Sequence, residues 1–202
     1  SHILLVISAT LALICGGLLL SIIFGGMDSP QSSFSLYDTF TSRSGGGMGE
    51  VLYKIIAYAL LPALCEEFVY RSILSTELED GGITRVLILG PLFFALLHFN
   101  LRLTPVYIYS GLVLTLVMYI SRSAPTAAAV HFLYNLFGLF SQPYITTFYK
   151  TTGSLGLFIV ILTSLFLLSL ILFCSQAARH FRMYSEKNIS PGHRVGLSPR
   201  ES

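Results

Sequence analysis

The stretch that decides the fold is residues 51–74, VLYKIIAYALLPALCEEFVYRSIL. It is long enough to cross a bilayer as a helix, because about 20 apolar residues span the hydrocarbon. It nevertheless carries two adjacent glutamates, Glu66 and Glu67, and an arginine, Arg71. An ionised side chain inside a bilayer costs about 3 kcal/mol, so such groups normally pair, face the protein interior and mark function. The stretch therefore predicts a transmembrane helix that carries a functional site.

The whole chain has the composition of a membrane protein. Of its 202 residues, 53% are hydrophobic and 11% are charged, whereas charged residues make up about 25% of ordinary soluble domains. Apolar runs predict helices at residues 3–24, 51–74, 84–99, 104–121, 125–140 and 155–173. The third and fifth runs are short enough to be tilted, bent or partly buried. We therefore predict an all-α polytopic membrane protein, a bundle of about six transmembrane helices with its functional residues on helices 2, 3 and 5.

The distribution of charge predicts the orientation in the membrane. The tail from residue 179 onward contains five Lys or Arg residues against two Glu, whereas the loop of residues 25–50 contains three acidic residues against one Arg. Basic residues are retained on the cytoplasmic side. We therefore expect a multi-pass protein of the cell membrane with its tail in the cytoplasm.

These features divide the chain into four predicted parts. Residues 1–50 hold the first helix and a Ser- and Gly-rich extracytoplasmic loop, 51–142 a four-helix catalytic core, 143–178 the last helix and 179–202 a basic cytoplasmic tail. The first run lacks a basic segment before it and is longer than a typical signal-peptide core, so we expect it to be retained. Because the chain begins with Ser, we expect a processed or truncated start.

Prolines predict distortions in two of the helices. Pro62 lacks an amide hydrogen and collides with the carbonyl four residues earlier, so we expect a bend one turn before the glutamates. The Gly90-Pro91 pair predicts the same in the next helix. Each bend is either a packing kink or the opening of a water-accessible pocket.

Helix geometry sorts the polar residues by face. Positions four apart share a face, so Glu67 and Arg71 are expected to form an ion pair while Glu66 points elsewhere and stays free. His131 and Asn135 likewise project together, and Phe94 lies one turn from His98. Taken singly, each set is typical of helix-to-helix contacts, but three sets on three helices of so apolar a chain indicate one shared centre.

The combination of groups favours hydrolysis. A carboxylate and an imidazole around one water act as a general base, and a second histidine with an amide can donate hydrogen bonds to the oxygen that becomes negative in acyl transfer. The sequence therefore predicts a site that hydrolyses a peptide bond without a nucleophilic side chain.

Three short motifs of the chain resemble the motifs of a known family. EEFVYR at 66–71, FALLH at 94–98 and HFLYN at 131–135 fit EExxxR, FxxxH and HxxxN in that order. The chain resembles the CPBP family, which joins CAAX proteases with bacteriocin-processing proteins, is also called Abi and includes the CAAX prenyl endopeptidases. The motif-bearing region covers about residues 50–142.

The resemblance implies a glutamate-dependent intramembrane protease that needs no cofactor. Glu66 would activate the hydrolytic water together with His98, His131 and Asn135 would stabilise the oxyanion, and Glu67, Arg71 and Phe94 would support the site. The implied partners are membrane lipid and a peptide or protein substrate, for which a C-terminal prenylated cysteine is the best-defined candidate, and no nucleic acid.

Other functions stay open at this stage. A zinc-dependent membrane metalloprotease would use Glu66, His98 and His131 as ligands with water in the fourth position, although the sequence has no HExxH motif. Buried Glu, Arg and His residues also mark ion paths in transporters, and a non-enzymatic immunity protein or scaffold would retain the same fold.

Overall fold

The computed structural model describes residues 2–25 and 47–186. Over these residues the chain is all helical and contains no strand, as predicted. The helices are α1 (Ile3–Gly25), α2 (Met48–Glu79), α3 (Ile83–Leu96), α4 (Thr104–Ser121), α5 (Ala124–Phe140), α6 (Gln142–Thr152) and α7 (Leu155–Glu186).

Within these ranges, four helices are long and apolar enough to cross a membrane: α1, α2, α4 and α7. The two shorter apolar helices are α3 and α5, which are the third and fifth of the predicted runs. All six predicted apolar runs are therefore helical, and the protein is a polytopic helical membrane protein, as expected.

The helix bounds differ from the predicted ones in several places. α2 begins at Met48, inside the predicted loop, and α3 ends at Leu96 rather than at residue 99, so that His98 lies just beyond the helix. α2 continues to Glu79, and α7 continues to Glu186, well into the part predicted as a tail. The short helix α6 was not predicted because its sequence, QPYITTFYKTT, lacks an apolar run; it has Pro in its first turn and ends at Gly153, whose φ of 64° suits a left-handed cap. The predicted loop at 26–46 and the tail at 187–202 lie outside the described residues.

The backbone of α2 changes its winding on both sides of the glutamates. Two π-helical segments, Ile55–Leu60 and Phe68–Leu74, flank the α-helical segment Leu61–Glu67. Pro62 lies at the start of that middle segment and cannot donate a backbone hydrogen bond. The predicted distortion near Pro62 therefore takes the form of a wider helical turn. Such turns are frequent at functional sites.

The next helix tolerates its proline differently. α3 runs through Pro91 as one helix, with Gly90 and Pro91 both buried. Gly111 of α4 lies against this point, since a Cβ built on it would be 2.8 Å from the Cα of Pro91. The predicted weak point of α3 is therefore a place where the backbones of α3 and α4 lie close together.

The core lies around α4. This helix packs against α1, α3, α5 and α7, and Leu114 and Val117 on it are fully buried. α2 packs on α5 through its first half and on α3 near its end, while most of its surface remains exposed. This arrangement brings the functional segments of α2, α3 and α5 to one side of α4.

Candidate functional site

Three of the predicted polar residues, Arg71, His98 and His131, meet around the ring of Phe94. This ring is buried, and its centroid lies 4.9 Å from that of His98 and 5.9 Å from that of His131. The guanidinium carbon of Arg71 lies 5.1 Å from the same ring centroid. Phe94 thus forms a wall that α2, α3 and α5 share.

Glu67 joins α2 to α5 at the centre of this cluster. Its side chain is 1% exposed, its Oε1 lies 2.9 Å from Nδ1 of His131, and its Oε2 lies 3.0 Å from Nε of Arg71. The Oε2 and Nε atoms are close but not aligned as a hydrogen bond, so their attraction is mainly electrostatic. The predicted Glu67–Arg71 pair is therefore present. The contact with His131 was not predicted, because spacing along one helix says nothing about a neighbouring helix.

Arg71 also reaches α4. Its Nη2 donates a hydrogen bond of 3.0 Å to the backbone carbonyl of Gly111, while its Nη1 is buried without a hydrogen-bond partner among the described residues. That carbonyl additionally accepts from the hydroxyl of Thr115 at 2.7 Å. A role for Gly111 was not predicted, since its only signal in the sequence is a glycine in the middle of an apolar helix.

Glu66 differs from its neighbour because no hydrogen bond or ion pair joins its carboxylate to another described residue. Its side chain is half-buried, and its Oε2 is buried with no hydrogen-bond partner in the described part of the chain. It lies within electrostatic range of Arg71 and of Tyr107. No hydrogen bond joins it to His98 or His131 within residues 47–186, so the structure leaves this carboxylate available to a water molecule or a ligand.

His98 follows the last turn of α3 and has a defined proton arrangement. Its Nδ1 lies 2.8 Å from the backbone carbonyl of Phe94. Because a carbonyl only accepts, Nδ1 carries the hydrogen, so that Nε2 is the nitrogen without a hydrogen in the neutral form of this tautomer. The next residue, Phe99, has a φ of 47°, an uncommon value for a bulky residue. The chain thus turns sharply just after the imidazole.

The other face of His98 is covered by a residue that the motifs do not include. The ring of Tyr107, in the first half of α4, stacks on the imidazole at a centroid distance of 3.9 Å and an angle of 23°. Nothing in the local sequence distinguishes Tyr107 from the other tyrosines of α4. Only the packing of α3 on α4 identifies it.

His131 and Asn135 lie one turn apart on α5. His131 is buried, with Nδ1 committed to Glu67, whereas Asn135 is half-buried and makes no hydrogen bond to another described residue. Their free polar atoms, Nε2 of His131 and the amide of Asn135, are therefore available on the same side of α5.

The residues proposed as alternative zinc ligands are not gathered into a metal-binding group. Across residues 2–25 and 47–186, no three His, Cys, Asp or Glu side chains are placed to hold one metal ion. Nδ1 of both histidines is engaged, on Phe94 and on Glu67. Glu66, His98 and His131 would need to rearrange before they could act as a zinc ligand set.

An apolar groove lies beside the cluster. Its volume is about 820 Å³, and it runs between the Phe68–Leu74 segment of α2, the end of α3 and the connection to α4. Tyr70 belongs to both features, because it lines the groove and its ring lies 5.3 Å from that of Phe94. Leu97 and Phe99, on either side of His98, also line the groove. Its polar residues include Glu77 and Asn100.

Comparisons with known proteins identify the segment that carries these residues. Residues 48–137 match the family model described as Type II CAAX prenyl endopeptidase Rce1-like. No curated protein matches the chain significantly, and neither does any solved structure. The matched range contains all three motifs and agrees with the resemblance to CAAX proteases.

Proposed function

We propose that this protein is a glutamate-dependent intramembrane endopeptidase. The proposal is supported by the match of residues 48–137 to the family model described as Type II CAAX prenyl endopeptidase Rce1-like. The protein hydrolyses a peptide bond near the membrane surface with a water molecule as the nucleophile. Glu66 and His98 activate the water, and His131 and Asn135 stabilise the oxyanion.

The observation that carries this proposal is the contrast between two adjacent carboxylates. Oε1 of Glu67 lies against Nδ1 of His131, and its Oε2, although it also lacks an aligned hydrogen bond, forms an ion pair with Arg71. The buried Oε2 of Glu66 has neither a hydrogen bond nor an ion pair with another described residue. A buried, unsatisfied acceptor is costly unless a ligand or water completes it. Glu66 is therefore the group that is suited to hold the reactive water.

His98 supports the same reaction through its proton arrangement. With Nδ1 donating to the carbonyl of Phe94, its Nε2 is the free basic atom. Glu66 and this nitrogen take a proton from the water while its oxygen attacks the amide carbon. The proton then passes to the departing amine, so that one water is consumed and one peptide bond is broken.

The Glu67–His131 contact supports a position for a second proton, on Nε2 of His131. An oxyanion needs a donor, so Nε2 of His131 must carry a hydrogen when the tetrahedral intermediate forms. Since Nδ1 lies against Glu67, this requires either an imidazolium facing the carboxylate or a protonated Glu67 donating to a neutral ring. In both cases the Glu67–His131 pair holds one extra proton, and Arg71 nearby adds a positive charge at the centre.

The groove supports a lipid-modified substrate. It is lined almost entirely by apolar side chains, with Val69, Ile73 and Leu97 among those that face outward. A prenyl chain of a cysteine would lie there with its apolar surface out of water, and Tyr70 would place the adjoining peptide next to Phe94. We therefore propose a peptide with a C-terminal prenylated cysteine as the substrate.

The experiment that tests the function compares wild type with Glu66→Gln in liposomes. A peptide with a prenylated cysteine and its unlipidated copy are offered, and products are identified by mass spectrometry. We expect cleavage of the lipidated peptide and a loss of about 10²- to 10⁴-fold in kcat for Glu66→Gln. Full turnover by the variant would overturn the assignment of Glu66.

The same assay separates the water mechanism from a zinc mechanism. Purified protein is dialysed against a chelator and assayed before and after zinc is restored. Turnover that is unchanged by the chelator supports the proposal. Turnover that disappears and returns with zinc would favour the metalloprotease instead.

A further inference from the structure

Tyr107 lies in the first half of α4, beside His98 and outside all three motifs. The ring of Tyr107 stacks on the imidazole of His98. Tyr107 also lies within electrostatic range of Glu66 and of Tyr134, the residue before Asn135. Its hydroxyl makes no hydrogen bond to another residue of the described ranges. The ring rather than the hydroxyl is therefore its structural contribution.

His98 needs such a contribution because it follows the end of a helix. The helix backbone no longer restrains the residues after Leu96, and Phe99 already has a left-handed φ. One hydrogen bond, from Nδ1 to the carbonyl of Phe94, leaves the imidazole free to rotate out of line. The rings of Tyr107 at 3.9 Å and Phe94 at 4.9 Å restrain it from two sides.

We propose that Tyr107 is a positioning residue, whose ring holds the imidazole of His98 in the plane and tautomer that present Nε2 to the water beside Glu66. This inference rests on the proposed function for its catalytic consequence. Its structural part, the orientation of His98, stands independently of any activity.

The test replaces the ring and the hydroxyl separately. Tyr107→Phe keeps the ring, while Tyr107→Leu and Tyr107→Met keep apolar volume without it. We expect kcat to fall by about 10- to 100-fold in the Leu and Met variants, because small misplacements of a reacting group are costly. We expect KM to stay within about twofold of wild type, because these substitutions do not alter the contacts that bind the substrate equally in its ground state and in the transition state. Tyr107→Phe should restore kcat to near the wild-type value.

A spectroscopic signature distinguishes positioning from general packing. In protein labelled with 15N-histidine, the His98 signal is assigned by its loss in His98→Gln. It should show the Nδ1–H tautomer in wild type and Tyr107→Phe, and a mixed or altered tautomer in the Leu and Met variants. Tyr119→Leu serves as the matched control, because Tyr119 lies on the same helix and its hydroxyl is buried without a hydrogen-bond partner in the described ranges.

Two results would overturn the proposal. One is a Tyr107→Leu or Tyr107→Met protein with wild-type kcat and an unchanged His98 signal. The other is a Tyr107→Phe protein as impaired as the Leu variant, which would assign the effect to the hydroxyl. If wild type cleaves no peptide, the proposed protease function fails, whereas the histidine spectrum still decides whether Tyr107 positions His98.

Discussion

At the scale of single residues, Glu66 and Glu67 differ because adjacent helical positions point about 100° apart. Glu67 faces α5 and its own Arg71, where it is almost fully buried. Glu66 lies within electrostatic range of Tyr107, Tyr70 and Arg71 and remains half-buried. One residue thus stabilises the cluster while its neighbour is left for a ligand.

Glu67→Gln should destabilise the protein, whereas Glu66→Gln should not. Removing one partner of a buried ion pair leaves the other charge uncompensated and costs about 3 to 5 kcal/mol. The affected charge here is that of Arg71, which is 3% exposed. The Glu66 side chain has no hydrogen bond or ion pair with another described residue to lose, so its replacement should be neutral or slightly stabilising. Equilibrium unfolding in detergent measures both.

Glu66→Gln is the matched control for Glu67→Gln, because both variants exchange a carboxylate for an amide at neighbouring positions. Equal stability of the two proteins would contradict a structural role for the Glu67–Arg71–His131 contacts.

At the scale of helices, the site depends on how closely α3 approaches α4. Gly111 permits this approach, and its carbonyl also accepts the hydrogen bond from Arg71. The helix that carries Phe94 and leads to His98 is therefore set against α4 by a position that has no side chain. The three motifs place residues along their own helices, but this distance between helices is a property of the packing.

Gly111→Ala should push α3 away from α4 and misplace the site. Its Cβ would lie 2.8 Å from Cα and 3.2 Å from Cβ of Pro91, and 3.3 Å from Cβ of Phe94. Two of these atoms belong to side chains fixed by packing and one to the backbone, so overpacking of about 1 to 3 kcal/mol is expected. Both the melting temperature and kcat should fall.

Gly90→Ala on α3 provides the control. The nearest atom to its Cβ would be Oγ1 of Thr115 at 3.9 Å, which is ordinary contact. Alanine is favoured over glycine inside a helix by about 0.5 to 1 kcal/mol. Gly90→Ala should therefore keep its activity and its stability, and a loss comparable to that of Gly111→Ala would contradict this account.

At the scale of the whole molecule, the groove and the polar cluster lie side by side and share Tyr70. A lipid chain in the groove and a peptide bond beside Phe94 would suit a substrate that is held at the membrane. The predicted orientation, with the basic tail in the cytoplasm, stays a prediction. The charged residues of this tail lie partly on α7 and partly beyond residue 186.

Ile73→Trp should weaken the use of a lipidated peptide by filling the groove. Ile73 lines the groove and is 49% exposed, so a larger side chain there occupies space without disturbing the core. We expect KM for the prenylated peptide to rise by about 10-fold, since a lost apolar contact of this size is worth about 1 to 3 kcal/mol. The value of kcat should change little.

Ile88→Trp is the matched control for this substitution. Ile88 is 61% exposed on α3 and does not line the groove. Its variant should retain the wild-type KM. Equal KM values for the two tryptophan variants would show that the lipid chain lies elsewhere.

The sequence by itself determined the helical membrane class, the apolar runs, the three motifs and the Glu67–Arg71 pair, because composition and spacing along one helix depend only on neighbouring residues. It did not determine the length of α7 or the presence of α6, since helices also form where no apolar run requires them. Only the tertiary structure decided that Glu67 contacts His131, that Arg71 binds the carbonyl of Gly111 and that Tyr107 stacks on His98. These contacts join residues that are 64, 40 and 9 positions apart in the chain, and the packing of the helices sets which of them meet.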